Sequence, residues 1–600
     1  MPVTVPPRSE IPTRYRWDTR SIFPSDEAWE DAFAALSAEV ETLGRFQGRL
    51  AEGPAVLADC IATIEAALRR MGHLYVYASN YHDVDTGDQA ASARHDRAVS
   101  LYGRVAASTA YLSPEMIAIG FPTLRRWLAA EPRLAHYAHH VDELERLEQH
   151  VRSAEVETLL GGLSDPFRST TAIHGILADA DLTFAPAHAS DGTALDVAQG
   201  SIDALLMHED REARRTAWES YADAHLAVKN TMAACMATGV KQRVYLARAR
   251  GFSTALEAAL YPNNIPTAVY HNVVDTFRAN LPTWHRYWRI RRRALGLAAQ
   301  HVYDIKAPLS RVKPRVSFEE GLGYVLQGLE PLGPEYVETV RRGVVEERWV
   351  DVLPNKGKRA GAYSTGHPGT HPFILMSWTD DLESVSTLAH ELGHSLHTYH
   401  TTHTQPYVYA DYAIFVAEVP SNLSQALVRR HLLETHPDRD FQIAVIEEAM
   451  SNFHRYFFLM PTLARFELEM HTRIERGEAL TADSLMALMT ALFREAYGGE
   501  VEVDPARVGI TWAQFPTHLY LNYYVYQYTT GISGAHALAR PILEGRDAAL
   551  ARYLEFLAAG SSLCPLDALR RAGVDMTTPE PIQAGFDYLA SLVDRLDALL

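Results

Sequence analysis

Helical periodicity runs through most of this 600-residue chain and gives way most plainly at residues 348–380. Apolar side chains spaced for one helix face recur after Ser25, an N-cap followed by Asp26 and Glu27, at Trp29, Phe33 and Leu36. The same spacing returns over 54–71, 92–112 and 142–163. Thr183-Phe184 and residues 194–197 flank an Asp191-Gly192 turn signal and read as a small hairpin. The helical pattern resumes over 201–299, and from 403 to the C-terminus apart from an extended stretch near 498–504. In the exceptional region, Arg-Trp-Val-Asp-Val at 348–352 and His-Pro-Phe-Ile-Leu-Met-Ser-Trp at 371–378 bracket a glycine-rich loop, 356–369. The expectation is a mainly α fold with one small β-sheet. A chain this long exceeds one simple core, so two lobes are expected. The division is placed near residue 200, into an N-terminal helical region, 1–200, and a second region, 201–600.

Composition narrows the class. A formal net charge of −18 argues against nucleic acid and acidic membranes as partners. Cys60, Cys235 and Cys564 lie far apart and fit no disulfide framework, which points to a reducing compartment and a cytoplasmic protein. The opening Met-Pro-Val-Thr-Val-Pro-Pro-Arg lacks the apolar centre of a signal peptide. No window approaches the ~18 uninterrupted apolar residues of a membrane span.

The β-like region runs directly into Ala389-His390-Glu391-Leu392-Gly393-His394. Two histidines four apart share a helix face, so both imidazoles can reach one metal ion. Glu391, about 100° round the axis, can act on a water beside that metal as general base. A tetrahedral hydrolytic zinc site needs a third protein ligand and keeps its fourth position open. Asp411, Glu418 and several histidines follow. His397 lies about 10 Å of rise beyond His390 and cannot close the same tetrahedron on a straight helix; it reads as a neighbour of the ligands, with His400 and His403 further round the axis. Glu418, in Phe-Val-Ala-Glu-Val-Pro-Ser, is the better third ligand, because a carboxylate with two neutral imidazoles leaves Zn²⁺ a net positive charge.

Beyond the metal helix the motifs multiply. Lys358-Arg359-Ala360-Gly361-Ala362-Tyr363-Ser364, the stretch 387–397 and the stretch 415–421 together resemble the M3 metallopeptidases, and within them the oligoendopeptidase F group. Glu10-Ile11-Pro12 with Tyr15-Arg16-Trp17-Asp18 near the start, and Phe466-Glu467 later, extend the likeness nearly end to end. The resemblance implies a largely α-helical, two-lobed peptidase with a deep substrate channel that admits short unfolded peptides. It implies His390, His394 and Glu418 as ligands of one Zn²⁺ and Glu391 as catalytic base. It also implies that the strand near 372–378 is the edge that aligns substrate backbone.

The segment 515–531, Phe-Pro-Thr-His-Leu-Tyr-Leu-Asn-Tyr-Tyr-Val-Tyr-Gln-Tyr-Thr-Thr-Gly, is where the resembling family carries a histidine and tyrosines that stabilise the oxyanion. By position, His518 and Tyr526 take that role, with Tyr520 next; spacing leaves open which phenol faces the metal. One departure stands out: family members often carry glutamate seven residues after the ligand glutamate, where this chain has Gln425, which places metal affinity in question. The implied activity is cleavage of internal bonds in short peptides. A metallo-carboxypeptidase on a similar scaffold and a non-catalytic peptide-binding protein are the competing expectations.

Overall fold

The computed structural model describes residues 5–600 apart from 311 and 547, so the first four residues of the opening stretch lie outside it. Helices dominate, and the chain divides into two compact units, each assembled from three stretches. The first comprises Met1–Gln149, Arg315–Glu434 and Leu538–Val574; the second comprises His150–Pro314, Thr435–Ala537 and Asp575–Leu600. A cut near residue 200 divides the sequence in two, whereas these units interleave. Among the described residues no helix is long and apolar enough to cross a membrane.

In the first unit the helix Asp26–Glu39 starts at Ser25, whose side chain accepts from the Ala28 N–H. The expected helix at 54–71 continues to Val84, entered through Pro54, whose missing N–H costs nothing in a first turn. The helix Gln89–Thr109 packs against it, capped by Asp88, which accepts from the N–H groups of Ala90 and Ala91. Trp29 is fully buried here with Leu36, Met71, Leu74 and Leu101, and its indole N–H donates to the Leu74 carbonyl at 3.0 Å. The amphipathic stretch 142–163 is not one helix. It breaks between Ala138–Glu148 and Ala154–Gly162, where Ser153 caps the second by accepting from the Val156 N–H.

Among the described residues two sheets form, both small. In the second unit β1 (Ala187–His188) pairs antiparallel with β2 (Ala194–Leu195). The expected hairpin therefore begins after Thr183-Phe184. Gly192, at φ 86°, donates to the Ala189 carbonyl, so the turn draws the residues next to it into register, and Phe184 stacks on Tyr221 instead. In the first unit three strands, β3 (Val350–Asp351), β4 (Tyr363–Thr365) and β5 (Phe373–Leu375), run in the order β3-β5-β4. β3 is parallel and β4 antiparallel to β5. The stretch 356–369, read as loop, thus contains a strand. Phe373 and Leu375 pack on Trp17, Val76 and Val84, which seats the sheet on the long helix Pro54–Val84.

A buried ionic knot ties this sheet down. Asp351 is inaccessible to solvent; Lys358 Nζ donates to its Oδ1 at 2.7 Å and Arg8 forks onto both carboxylate oxygens. Burial pulls the Lys358 ammonium below its ordinary range, and Asp351 works against that shift. Lys358 also donates to the Leu353 carbonyl at 2.8 Å, so the glycine-rich stretch is held to the strand before it.

The second unit carries a carboxyl with no exposed surface, Glu467, on the helix Met460–Glu475. Its Oε1 accepts the Tyr523 N–H at 2.6 Å, and Tyr523 sits at φ 51°, a left-handed conformation uncommon outside glycine. His471 packs its ring on Tyr523. Burial raises the Glu467 carboxyl from 4.5 to about 8, against the pull of the Tyr523 N–H and Arg243. The folded protein therefore keeps a proton that the unfolded chain releases. This stabilising component is whole below about 4.5 and is lost as pH rises to about 8. Glu467→Gln keeps an acceptor and cannot ionise. Thermal melts should show the stability of this variant relative to wild type growing across that window and levelling above it; a difference that does not change with pH contradicts the assignment.

Candidate metal centre

His390 and His394 stand on the helix Leu382–Thr404, and Glu418 on the helix Ile414–Thr435; all belong to the first unit. Asp381 starts the first of these helices by accepting from the Ser384 N–H at 2.8 Å. Its C-terminal part is held by the segment that closes the unit: Thr401 Oγ1 donates to the Leu557 carbonyl at 2.8 Å and Gln405 Nε2 to that of Ala558 at 2.7 Å.

Three donor atoms converge. His390 Nε2 and His394 Nε2 are 3.2 Å apart, and Glu418 Oε2 is 3.4 Å from the first and 3.7 Å from the second. A tetrahedral ion with bonds of about 2.0–2.1 Å separates its ligands by roughly 3.3 Å. The triangle therefore has the size that Zn²⁺ requires.

Gly393 makes this triangle possible. A Cβ there would lie 2.5 Å from the Pro420 carbonyl oxygen and from Ser421 Cα, so only glycine lets the second helix come close enough for Glu418 to reach both imidazoles. The imidazoles are also oriented from behind. His390 Nδ1 lies 3.0 Å from Gln425 Oε1, so it donates there and leaves the Nε2 lone pair free for metal. Gln425 is fixed in turn by donating to Ser386 Oγ at 2.7 Å. The residue that departs from the family pattern is thus the acceptor that aims a ligand. For His394 the Ala417 carbonyl supplies the equivalent contact. Ser421 donates to Glu418 Oε2 at 2.9 Å.

Electrostatics favour ligation. Burial, with His390 nearby, holds the His394 imidazole at about 4, in the neutral form that a ligand needs. Burial pushes the Glu418 carboxyl up, but His390, His394 and Ser421 outweigh it and leave it below its ordinary range. Glu391 is raised by burial, and further by Glu418, to about 7, against His390 and the Ser364 N–H. Its Oε2 is buried without a hydrogen-bond partner among the described residues, a free acceptor beside the ligand set.

The sheet meets the site through β4. The N–H groups of Ile374, Met376 and Trp378 donate to the carbonyls of Trp349, Asp351 and Val352, and the opposite side of β5 faces β4. The strand Phe373–Leu375, within the stretch 372–378, is therefore central between β3 and β4 and is not the edge that aligns substrate. Since Ile374 turns to β3, the alternation of an antiparallel pair turns Ser364 of β4 away from β5. That outward N–H reaches Glu391. A cavity of 870 Å³ opens along the same stretch, lined by Ser364, Gly366, His367, Tyr75, Tyr407 and Tyr412 among others.

The remaining candidates lie elsewhere. His397 is buried and stacks on Tyr412 at 3.6 Å, packing instead of aiming a ligand; the His400 ring runs nearly parallel to that of Tyr336 with centroids 6.2 Å apart, and the Asp411 carboxylate accepts from the Tyr412 N–H. His518, Tyr520 and Tyr526 belong to the second unit. Tyr520 bonds His174: His174 Nε2 donates to the Ala513 carbonyl, so its Nδ1 accepts the Tyr520 hydroxyl at 3.2 Å. Tyr526, at the start of the helix Tyr526–Leu543, is buried against Tyr270. His518 is half-buried, and burial with the charge of Arg455 holds it neutral at about 4.

With this geometry in hand, residues 204–588 match peptidase family M3, and residues 115–184 match the Oligopeptidase F family. The chain belongs to peptidase family M3. It is 38% identical over 99% of its length to Oligopeptidase PepF of Bacillus subtilis, covering 89% of that protein. It is 33% identical over 99% of its length to Group B oligopeptidase PepB of Streptococcus agalactiae, covering 98% of it. The crystal structure of oligoendopeptidase-F from Enterococcus faecium superposes with a TM-score of 0.74 at 29% identity, over 96% of this chain and 99% of that one. This M3 protein is a metalloendopeptidase. The relatives favour neither the carboxypeptidase nor the non-catalytic reading.

If Gln425 aims His390, Gln425→Ala should weaken metal binding by about 10–100-fold in competition with a chelator. An unchanged affinity would mean that His390 is oriented by something else.

Proposed function

We propose that this metalloendopeptidase is zinc-dependent and cuts internal bonds of short unfolded oligopeptides, with His390, His394 and Glu418 as the ligands of one Zn²⁺ and Glu391 as general base. The observation that carries the reading is the donor triangle of 3.2, 3.4 and 3.7 Å with the unpartnered Glu391 Oε2 beside it. A zinc ion held there supplies Lewis acidity, polarising the scissile carbonyl and bringing the pKa of a water towards neutrality. Glu391 Oε2 takes the proton of the attacking water and delivers it to the leaving amine. The Ser364 N–H holds the other part of that carboxylate in place.

Substrate backbone is proposed to lie along the outer edge of β4, over the adjoining cavity, as an added strand. That geometry requires an extended peptide. His518 and Tyr526 are proposed as donors to the carbonyl oxygen as it gains charge; the support is the family likeness of 515–531 and the neutral, half-buried imidazole of His518. Tyr520 is the weaker candidate, since its hydroxyl already serves His174. A cytoplasmic location agrees with three buried cysteines that form no disulfide.

The test is mass spectrometry of a mixed set of short peptides incubated with wild type, with Glu391→Gln and with chelator-treated enzyme. Internal cuts should disappear on chelation, and kcat of the variant should fall by roughly 10²–10⁴-fold with one equivalent of zinc still bound. Near-normal turnover of Glu391→Gln would refute the base assignment.

A further inference from the structure

Metal-ligand chemistry recurs in the first unit on residues outside the helix Leu382–Thr404. His139 and Glu143 are one turn apart on the helix Ala138–Glu148, spaced like the ligand pair His390 and His394. Cys564 caps the helix Pro565–Ala572. One ligand atom from each of the three lies within 4.8 Å of the others, and Cys564 Sγ is 3.5 Å from Glu143 Oε1. We propose that His139, Glu143 and Cys564 form a second divalent-cation site, selective for a thiophilic ion such as Zn²⁺, that clips the N-terminal helices of this unit to its C-terminal segment.

The donor chemistry supports the choice of ion. Imidazole, carboxylate and thiolate are each zinc ligands, and a sulfur donor disfavours Mg²⁺ and Ca²⁺. Access is adequate: Cys564 is nearly buried, while the Glu143 side chain retains 27% of its exposure and His139 is half-buried. The positions are 421 residues apart at Glu143 and Cys564, so an ion shared between them joins remote stretches of chain. Binding that requires the folded arrangement stabilises it by mass action.

The Cys564 thiol gives its proton to solvent, its sulfur bonds the cation, and Glu143 Oε1 turns from the S–H to the same ion. Arg146 forks onto both Glu143 oxygens, so it keeps Oε2 and shares Oε1 with the ion. One proton leaves and a divalent ion enters, so one positive charge is added beside a guanidinium. That charge makes the site weaker than the His390, His394 and Glu418 set, which has no arginine on its carboxylate among the described contacts and fills first.

Cobalt titration of the full chain reads this directly, because the catalytic ligand set contains no sulfur. The first equivalent of Co²⁺ should produce ligand-field bands alone, and the second a thiolate-to-cobalt charge-transfer absorption in the near ultraviolet. Cys564→Ser should abolish that absorption and keep both the first equivalent and peptidase activity. His139→Ala should weaken the second equivalent by more than about tenfold; it serves as the independent reading if the serine variant misfolds, with circular dichroism checking its fold. Absence of the absorption at any cobalt loading, its persistence in Cys564→Ser through Cys60 or Cys235, or an unaltered second equivalent in His139→Ala would each overturn the proposal.

Discussion

The candidate metal centre depends on the distance between two helices. Where Leu382–Thr404 passes Ile414–Thr435, the Pro420 carbonyl and Ser421 Cα occupy the space that a side chain at position 393 would need. Glycine at that position lets Glu418 lie beside both histidines, and Pro420 stands inside the opposing helix at the contact. Closing the gap also brings Gln425 behind His390 and Ala417 behind His394. One backbone contact therefore assembles ligands and their supports together.

Charge is arranged with the same economy. Two neutral imidazoles and one carboxylate leave a bound divalent ion with a net positive charge, while a neutral amide, Gln425, stands behind His390 where a carboxylate would reduce that charge further. The buried ionic groups serve other ends. Asp351 with Lys358 and Arg8 secures the sheet, and Glu467, protonated, holds the left-handed turn at Tyr523. Breaking one partner of a knot like that at Asp351 typically costs 3–5 kcal/mol, about a quarter to a half of a typical domain's stability. The sheet's position beside Glu391 is thus expensive to disturb.

Much of this was legible in the chain. The i, i+4 histidines dictate a shared helix face whatever surrounds them, and a patterned helical stretch able to return beside that face favours Glu418 over Asp411. The helical class followed from periodicity. What escaped depends on contacts between segments. Gly393 reads as an ordinary helix interruption until Pro420 lies against it. Gln425 reads as a missing glutamate until its amide oxygen meets His390. The strand Tyr363–Thr365 was hidden in a glycine-rich stretch, and the neighbouring strand was given the edge role because strand order cannot be read from strand-like residues. The interleaving of the two units is equally invisible, since each is closed by a segment remote in sequence.

The central claim is that His390, His394 and Glu418 together hold one zinc ion. Anomalous diffraction at the zinc absorption edge, from crystals loaded with one equivalent, tests it most directly. The account predicts one strong peak within about 2.0–2.2 Å of His390 Nε2, His394 Nε2 and a Glu418 carboxylate oxygen, with Gln425 Oε1 on His390 Nδ1. A first-equivalent peak whose third protein ligand is Asp411, His397 or any group other than Glu418 would contradict it.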